Sequence, residues 1–573
     1  MTMGLSSIEE ELLSRGFRYS PIHTSYPPIP AFERVFATSI GEFVVQFPIS
    51  DPSLLKLPKP RVLSMPESLA SVRLPHLEGN QTICLFDETT KNIDPLRPKE
   101  FVAACVVQIQ SILDGWADGS NHSDIAAEFT SYWAPDRICY LLTENKKSQL
   151  YKFSREKLNG DRVTEYAVAN NSSEASQWAV KRNCSSVKDG KLPSELCSTI
   201  KVAVKQPLFI PFDQKWPLNT LGDVLTWLRK VDSSAASSLL DKLRKEAKTK
   251  SNFMVVLSFD TIHVGLNISI RPLGKSALFV NLPKNAKFNP RHALSALSKH
   301  HCLSVFERFH VENATEKYIF SRNYNSFEGL RNKRICVIGC GTVGGYLAQG
   351  LVQAGAGTGR GTLCFYDRDT MRPGNLGRHI LGTQYLGENK SEALAHYFEQ
   401  QGLSTNVRSG GEFTKRDLGD GWDLIVDATG EQGFSLLLTQ WYQELKLSER
   451  STLLIHSWVS GFGHQAKAMI NDGKGACYAC LFDYNQSPRA DRYQSFSPGN
   501  SLDVNIAFKR TCGESHLPFG PEASMTAAAL ALRLIKQDQP MKLNFLQKAL
   551  SDRAKQYPEK LMEPMRNCPV CQS

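Results

Sequence analysis

The most informative string in this chain runs Arg334-Ile335-Cys336-Val337-Ile338-Gly339-Cys340-Gly341-Thr342-Val343-Gly344-Gly345. Its apolar first half predicts a buried parallel strand, and the glycine-rich half predicts a tight turn into a helix over 346–354. A second strand over 362–366 ends at Asp367, and a later one over 424–426 ends at Asp427. Because strands and helices alternate, we expect a doubly wound parallel sheet.

The glycine turn predicts a phosphate site. Gly339 makes the tight turn, Gly341 permits close approach of a ligand, and Gly344 lets the helix pack near the strand. Bare backbone N–H groups and a helix N-terminus then face the phosphates. Asp367 stands 26 residues after Gly341, where it can bind a ribose hydroxyl. Taken alone, the pattern fits a nicotinamide-dependent oxidoreductase as well as an ATP site.

Length and composition limit the class of protein. The chain has 573 residues, 41% hydrophobic and 22% charged, which is too long for one core and predicts about three or four domains. Its net charge of +10 is mild and does not single out nucleic acid. No apolar run reaches the ~20 residues of a membrane span, and the N-terminus carries no export signal. These features predict a soluble, cytoplasmic protein without direct membrane or nucleic-acid contacts.

Four of the fourteen cysteines form two CxxC pairs. Cys477 and Cys480 form the first pair, and Cys568 and Cys571 form the second. Thiols in a reducing compartment are core residues, nucleophiles or metal ligands rather than disulfides. Two CxxC pairs supply four thiolates, so we predict a structural Zn²⁺ site with no open position for chemistry.

The chain divides into three predicted domains. Residues 1–150 combine an antiparallel meander with a helix over 98–116, which predicts an α+β domain. Residues 151–310 mix helix and strand patterns, including an apolar helix face over 220–230, and are predicted to form an α/β domain that links the other two. Residues 311–573 contain the Rossmann-like sheet and the paired cysteines.

The continuation after the second strand carries a family resemblance. It reads Asp367-Arg368-Asp369-Thr370-Met371-Arg372-Pro373-Gly374-Asn375-Leu376-Gly377-Arg378 and resembles the signature of the ubiquitin-activating and ThiF/MoeB adenylating enzymes. The resemblance implies ATP-dependent adenylation of a C-terminal carboxylate, with Asp367 at the ribose and Asn375 and Arg378 at the phosphates. It also implies a phosphate contact from Lys390, a homodimer, and Arg322 acting on the partner's ATP.

The Mg²⁺ position departs from that family. Its Asp-Asn pair is replaced here by Gly430 and Glu431. Either Asp427 or Glu431 then holds the metal, or the metal site is altered, and the sequence does not decide between these alternatives.

Two cysteines are candidate nucleophiles. Cys512 follows Lys509 and Arg510, whose charges favour a thiolate, and resembles the crossover-loop cysteine of enzymes that capture the adenylated product as a thioester. Leu74-Pro75-His76 resembles the active-site segment of ubiquitin-conjugating enzymes, with Cys84 eight residues after His76. In that family the residue matching His76 supports the oxyanion formed when an amine attacks the thioester.

The whole arrangement resembles the conjugating and activating fusion proteins of bacterial CBASS antiphage operons. The resemblance implies that Cys512 captures a protein's C-terminal glycine, that Cys84 receives it, and that an amine of a target protein accepts it. It also implies that the acyl donor is the nucleotide cyclase of the operon. Three alternatives remain: a ThiF/MoeB-type sulfur-carrier adenylyltransferase with an accessory N-terminal domain, an NAD-dependent oxidoreductase, and a catalytically inactive scaffold. Cys84 should be exposed and reactive in a conjugating enzyme, and buried and inert in a sulfur-carrier adenylyltransferase.

Overall fold

The computed structural model of the chain describes residues 2–23, 28–51, 54, 56–70, 73–78, 80–86, 94, 96–133, 135–182, 184, 193–211, 216–260, 262–278, 290–322, 329–404, 406–486, 490–496, 508–511, 514–516, 519–537 and 541–571. These residues fall into two compact units, Met1–Asn313 and Ala314–Ser573. The predicted mixed α/β composition is confirmed in both units. No described helix is both long enough and apolar enough to cross a membrane.

The first unit begins with helices packed on an antiparallel sheet. Its elements are α1 (Thr2–Ser14), β1 (Arg18–Tyr19), β2 (Ala31–Thr38), β3 (Gly41–Pro48), β4 (Arg61–Ser64) and α2 (Pro98–Asp118). The strands follow the order β1-β2-β3-β4 with antiparallel neighbours, as the meander prediction requires. One hydrophobic core joins α1, the sheet and α2. Gly119 ends α2 with a φ of +79°, a left-handed conformation that glycine adopts readily.

The same unit contains a closed seven-stranded barrel. Its strands are β5 (Arg137–Leu141), β6 (Gln149–Glu156), β7 (Arg162–Ala169), β8 (Ser194–Ala203), β9 (Asn252–Ser258), β10 (His263–Ile270) and β11 (Leu303–Asn313). They follow one another around the barrel in the order β10-β11-β5-β7-β6-β8-β9. Closure pairs every strand on both sides and removes exposed edges. Apolar side chains such as Leu150, Met254 and Phe309 fill a core of their own. Sequence patterns predicted some of these strands but not the barrel.

Helices surround the barrel: α3 (Ile125–Tyr132), α4 (Ser172–Lys181), α5 (Leu221–Val231), α6 (Ser233–Glu246), α7 (Pro272–Ala277) and α8 (Pro290–Leu297). The predicted apolar face of α5 is buried. Thr220 and Asp223 form a capping box at its N-terminus, where side chains satisfy otherwise unpaired backbone N–H groups. Asp232 caps α6 by accepting from the N–H groups of Ser234 and Ala235 at 2.9 and 3.0 Å.

The second unit is built on a seven-stranded sheet. Its strands are β12 (Arg334–Ile338), β13 (Thr362–Tyr366), β14 (Val407–Gly411), β15 (Leu424–Asp427), β16 (Leu453–Ser460), β17 (Gln465–Asn471) and β22 (Phe545–Ala549). Two small hairpins pair β18 (Phe482–Asp483) with β19 (Ala490–Asp491) and β20 (Phe508–Thr511) with β21 (Glu514–His516). The helices are α9 (Glu316–Ser321), α10 (Thr342–Gln353), α11 (Lys390–Gln401), α12 (Gln432–Glu444) and α13 (Pro521–Ile535).

Strand order in this sheet positions the predicted nucleotide site. The order is β14-β13-β12-β15-β16-β17-β22, with parallel pairing from β14 to β16 and antiparallel pairing of β17 and β22. The predicted parallel half is confirmed, and two antiparallel strands extend it. The chain leaves β12 for β13 on one side and reaches β15 on the other. This is a topological switch point, where α/β sheets bind ligands at the carboxyl ends of their strands.

Candidate active sites

The glycine turn joins β12 to α10 at the switch point. Gly339 has a φ of +89°, and a Cβ at this position would lie 2.7 Å from the backbone nitrogen of Thr429. A Cβ on Gly344 would lie 1.9 Å from the carbonyl oxygen of Gly339. A Cβ on Gly341 would meet no atom within 4 Å. The turn is therefore tight where the backbone must pack and open at Gly341, beside the N-terminus of α10, where a phosphate would approach.

Asp367 directly follows β13 and is fixed against the glycine turn. Its Oδ2 accepts a hydrogen bond from the backbone N–H of Cys340 at 2.7 Å. Its Oδ1 accepts from the N–H of Asp369 at 2.8 Å. Each carboxylate oxygen retains a further lone pair. The side chain is thus held in one orientation and can still accept a hydrogen bond from a ribose hydroxyl.

His379 is a buried residue of this site for which the sequence analysis found no role. Its Nε2 donates to the carbonyl oxygen of Cys340 at 2.8 Å, and its Nδ1 accepts from the N–H of Leu381 at 3.1 Å. Burial lowers the pKa of His379 and so favours this neutral tautomer. The imidazole ties the segment that contains Asn375 and Arg378 to the glycine turn. Its position beside Arg378 was the available signal, but sequence alone could not show what it contacts.

Two cations predicted to bind phosphate are partly or largely buried. Lys390, at the start of α11, is 9% exposed, and its Nζ lies 3.0 Å from Oδ2 of Asp369. The guanidinium of Arg378 lies 4.6 Å from the ring centre of Phe519, and burial lowers its pKa. Oδ1 of Asn375 accepts from the backbone N–H of Arg372 at 3.0 Å. Because burial reduces screening by water, cations placed in this way interact more strongly with an incoming phosphate.

Arg322 lies immediately after α9 and is exposed. Its guanidinium lies 5.3 Å from the ring centre of Tyr318 in the same helix. An exposed arginine is able to reach a neighbouring molecule. Its action on a partner's ATP stays a prediction.

Asp427 is buried and fully engaged in hydrogen bonds. The carboxylate is 1% exposed and accepts from the backbone N–H and hydroxyl of Thr429 at 3.0 and 2.7 Å. It also accepts from the Ser435 hydroxyl at 2.5 Å and from Nδ1 of His456 at 2.8 Å. Burial alone would raise the pKa of Asp427, but the hydrogen bond and charge of His456, with the two hydroxyls, hold it below its usual value. All four lone pairs of the carboxylate therefore have partners within the protein.

Gly430 and Glu431, which replace the family's Asp-Asn pair, follow three and four residues later. Gly430 is exposed with a φ of +69°, and a Cβ there would meet no atom within 4 Å. Glu431 is exposed at the N-terminus of α12, and its side chain caps no backbone N–H of that helix. Of the two carboxylates that the sequence offered for Mg²⁺, Glu431 faces solvent and Asp427 does not.

The four paired cysteines converge on one point of the second unit. Their Sγ atoms lie within 4.8 Å of one another, with separations of 3.6 Å for Cys477 and Cys568 and 3.7 Å for Cys480 and Cys571. A tetrahedron with Zn–S bonds of about 2.3 Å has edges of about 3.8 Å. The donor set and its spacing fit one tetrahedral ion. The predicted convergence is confirmed, and the cluster could hold a metal.

Cys84 is the exposed thiol among the cysteines that the structure describes. Its backbone N–H donates to the carbonyl oxygen of His76 at 2.8 Å, which joins the two candidate residues directly. The Nε1–H of Trp116, in α2, donates to the carbonyl oxygen of Pro75 at 2.8 Å and fixes the segment before His76. The predicted nucleophile therefore lies on the surface, and hydrogen bonds from Trp116 and from Cys84 itself hold the backbone of Pro75 and His76.

His76 has a specific partner that the sequence did not reveal. Its Nε2 lies 3.0 Å from Oδ2 of Asp124, and its backbone N–H donates to the Tyr132 hydroxyl at 3.0 Å. The φ of His76 is +61°, an uncommon conformation for a residue other than glycine. The carboxylate of Asp124 therefore fixes the orientation of the imidazole. Asp124 stands 48 residues after His76 with no motif around it, so no spacing rule could have found it.

Cys512, the other candidate nucleophile, lies outside the described residues. The short strands β20 and β21 flank it. Its role stays a prediction.

Two protein families match this chain. Residues 319–570 match the ThiF family, and residues 31–140 match the prokaryotic E2 family B. The first match contains the glycine turn and three of the four paired cysteines, with the fourth one residue beyond it. The second contains His76 and Cys84.

Relatives of similar length match almost the whole chain. The ATP-dependent ubiquitin transferase-like protein Cap2 of Escherichia coli (strain TW11681) is 27% identical over 94% of this chain and 93% of its own length. The protein of the same name from Vibrio cholerae serotype O1 is 27% identical, covering 91% of this chain and 92% of its own. The crystal structure of E. coli MccB with ATP aligns with 55% of this chain and 98% of its own, at 15% identity and a TM-score of 0.33.

Proposed function

We propose that this chain activates a protein carboxyl terminus with ATP and conjugates it to an amine. The chain combines a match to the ThiF family with a match to the prokaryotic E2 family B. It is also similar to Cap2 ubiquitin transferase-like proteins along almost its whole length. It is a ubiquitin-activating and conjugating-like enzyme. The individual steps, the residues that perform them and the two protein substrates belong to the proposal.

Adenylation takes place at the glycine turn. A carboxylate oxygen of the protein substrate attacks the α-phosphorus of ATP, the bond to the β-phosphate oxygen breaks, and pyrophosphate leaves. Asp367 accepts a hydrogen bond from the ribose, while Asn375, Arg378 and Lys390 stabilise charge on the phosphoryl oxygens. Lys390 is held by Asp369 at 3.0 Å and is therefore positioned before the nucleotide binds.

Two metal ions support this half of the enzyme. Mg²⁺, bound at Glu431, would neutralise phosphate charge when it accompanies ATP. Zn²⁺ bound by the four cysteine thiolates would be structural, because four protein ligands leave no open position. It would join the segment near β18 to the chain's last residues.

Two thioesters carry the acyl group from the adenylate to its target. The Cys512 thiolate attacks the acyl carbon and AMP leaves. The Cys84 thiolate then attacks this thioester and frees Cys512. An amine of the target protein finally attacks the acyl carbon on Cys84, loses a proton and forms an amide, while the Cys84 thiolate leaves. His76, held by Asp124 through Nε2, donates the N–H of its other nitrogen to the oxyanion of this last step, which requires the imidazolium form.

The acyl donor in this proposal is the nucleotide cyclase of the same CBASS operon, presented through its C-terminal glycine. The acceptors are amines of cellular proteins. The adenylating domain acts as a homodimer in which the exposed Arg322 reaches the partner's nucleotide.

One observation carries the proposal: an exposed thiol, Cys84, lies beside the His76–Asp124 pair in the E2-family part of a chain that also has an adenylating domain. A sulfur-carrier adenylyltransferase has no use for such a thiol. The ThiF match sets aside the nicotinamide-dependent alternative.

The test uses the full-length protein with ATP, Mg²⁺ and the purified cyclase on non-reducing gels. We expect a thiol-sensitive adduct on Cys512 in Cys84→Ala, and no adduct in Cys512→Ala. Cys84→Ser should accumulate an adduct that survives thiol treatment, because an oxygen ester replaces the thioester. Cys105→Ala, which changes a buried cysteine of α2, is the matched control and should behave as wild type.

Two further controls test the donor and the nucleotide chemistry. A cyclase without its C-terminal residue should form no adduct, and ATP–pyrophosphate exchange should depend on the intact cyclase tail. Identical adducts in wild type, Cys84→Ala and Cys512→Ala would refute the relay, and absence of exchange would refute adenylation.

A further inference from the structure

A polar cavity lies in the first unit beside the barrel, and its residues are distant in the sequence from His76 and Cys84. It has a volume of about 520 Å³ and opens to solvent. The segment before β6, the middle of β8 and the C-terminal end of α6 line it. This volume is within the range of about 300–1,000 Å³ that small-molecule sites occupy.

Positive charge dominates the lining of this cavity. The lining contains Glu246 and six lysines, Lys146, Lys147, Lys201, Lys242, Lys245 and Lys250. None of these lysines forms an ion pair with a described residue. Nζ of Lys242 donates to the carbonyl oxygen of Lys201 at 2.8 Å. Like charges gathered around a concave surface repel one another, and a bound anion would remove that repulsion.

Some residues that line this cavity carry buried hydroxyl groups without partners. Ser148 is 5% exposed and Thr199 is 7% exposed, and neither hydroxyl has a hydrogen-bond partner among the described residues. Their backbones are joined, since the N–H of Thr199 donates to the carbonyl oxygen of Ser148 at 2.9 Å. The Ser198 hydroxyl, also in the lining, is a third such group. Buried polar atoms normally have a partner, so three unpartnered hydroxyls among the residues of one lining are unusual, and a ligand that supplies acceptors would pair them.

One lysine within the wall is firmly positioned. Nζ of Lys201 donates to the carbonyl oxygens of Thr143 and Asn145 at 2.5 and 2.9 Å. Its ammonium group has three donors, so one remains for a ligand. Burial lowers the pKa of Lys201 to about 8. A nearby anion would favour its charged form.

We propose that this cavity binds a phosphorylated small molecule through its phosphate oxygens, held by the lysines and by the hydroxyls of Ser148 and Thr199. Phosphate offers several acceptors to hydroxyl and ammonium donors at once. The lining contains no arginine, the residue that suits bidentate binding of a carboxylate. A nucleotide and an inorganic polyphosphate share the required chemistry. This site is independent of the nucleotide site at the glycine turn.

The test titrates inorganic tripolyphosphate into the full-length protein by isothermal calorimetry. The background is Arg378→Ala/Lys390→Ala, which weakens the adenylation site. We expect one remaining site. Lys245→Glu/Lys250→Glu should weaken it at least tenfold, whereas Lys248→Glu should change it less than twofold. Lys248 is exposed in the same segment and does not line the cavity.

A second variant tests the hydroxyls. In Ser148→Ala/Thr199→Val we expect about tenfold weaker binding, because hydrogen bonds to charged groups are lost, with an unchanged or higher melting temperature of the free protein. ATP and adenosine distinguish the sources: tighter binding of ATP than of tripolyphosphate indicates a nucleotide, and equal binding indicates the phosphates alone.

Three results would overturn the proposal. They are absence of tripolyphosphate binding in the background variant, equal weakening by Lys248→Glu, and binding of a glutamate-rich peptide as tight as that of tripolyphosphate. The last result would assign the cavity to acidic protein segments.

Discussion

The Asp427–His456 pair yields a prediction that separates a structural carboxylate from a metal ligand. Both side chains are 1% exposed, and they meet at 2.8 Å. The Thr439 hydroxyl donates to the carbonyl oxygen of Ser435 and lies 3.2 Å from Nε2 of His456, so it accepts from that nitrogen. Both imidazole nitrogens thus face acceptors, and Asp427 and Thr439 together fix the ring.

Asp427→Asn keeps the shape of the side chain but disrupts this arrangement. Each carboxylate oxygen now accepts from two donors, so an amide NH₂ in either orientation would face two donors. Leaving a buried donor without its acceptor costs about 1–3 kcal/mol, and two donors are affected, so the loss should be about 2–6 kcal/mol. For a unit the size of Ala314–Ser573 this corresponds to a fall in melting temperature of about 4–24 °C.

The assay is differential scanning calorimetry of the full-length protein, with the transition of the second unit identified by its shift on adding ATP. Glu431→Gln is the matched control. It changes an exposed carboxylate, so it should alter stability by less than about 0.5 kcal/mol. That variant, unlike Asp427→Asn, should require more Mg²⁺ for pyrophosphate exchange in preparations that remain folded. An Asp427→Asn protein that melts like wild type but needs about tenfold more Mg²⁺ would refute the reasoning.

The pH dependence provides an independent check. The folded pKa of Asp427 is lower than its unfolded value of about 3.9. The unfolded state therefore binds the proton more readily, and the stabilising contribution is complete above the unfolded pKa. It is lost as the pH falls through the folded pKa. The stability difference between wild type and Asp427→Asn should be complete at about pH 5 and narrow below about pH 4.

Three other predictions concern the remaining sites. Cys568→Ser, or treatment with a chelator, should release one zinc ion per chain and lower the melting temperature, because structural metal binding contributes directly to folding; wild-type melting after complete metal removal would contradict this. His76→Ala should slow amine discharge of the Cys84 thioester by about 10²–10³-fold while leaving its loading intact, and Asp124→Asn should slow it less; normal discharge in single-turnover assays would exclude an oxyanion role. Binding of tripolyphosphate at pH 9 should take up a proton on Lys201, whose pKa of about 8 should rise beside an anion, whereas binding at pH 6.5 should not; calorimetry in two buffers of different ionisation enthalpy measures this difference.

Short contiguous sequence patterns were sufficient to predict the parallel half of the sheet in the second unit. The strand, turn and helix around Gly339 are contiguous in the sequence, and Asp367 and Asp427 come at the ends of predicted strands. The two antiparallel strands, β17 and β22, were not predicted, because β22 pairs with a strand about 80 residues earlier in the sequence. The barrel could not be predicted from the sequence for the same reason. β5 and β11 are neighbours although more than 160 residues separate them, and no local pattern encodes such a pairing.

The candidate sites show a related division between residues that touch ligands and residues that orient them. Gly341 and Asp367 could be named because phosphate and ribose binding favours those residue types at fixed spacings, and Cys84 because its segment resembles that of ubiquitin-conjugating enzymes. His379 and Asp124 were missed because their task is to fix another side chain, and many residue types at many chain positions can perform it. Their identity depends on which atoms the fold brings within about 3 Å.

The contacts of the neighbouring carboxylates indicate which of them can bind Mg²⁺ when Gly430 stands at the position of the family's aspartate. Asp427 could be named from its place after a strand, but only its four hydrogen bonds reveal that no lone pair remains for a metal. Asp367 is engaged with two backbone N–H groups and Asp369 with Lys390. Glu431 is exposed and does not cap its helix. If Mg²⁺ accompanies ATP at this edge of the sheet, the carboxylate that binds it without breaking an existing contact is therefore the one directly after the substituted position.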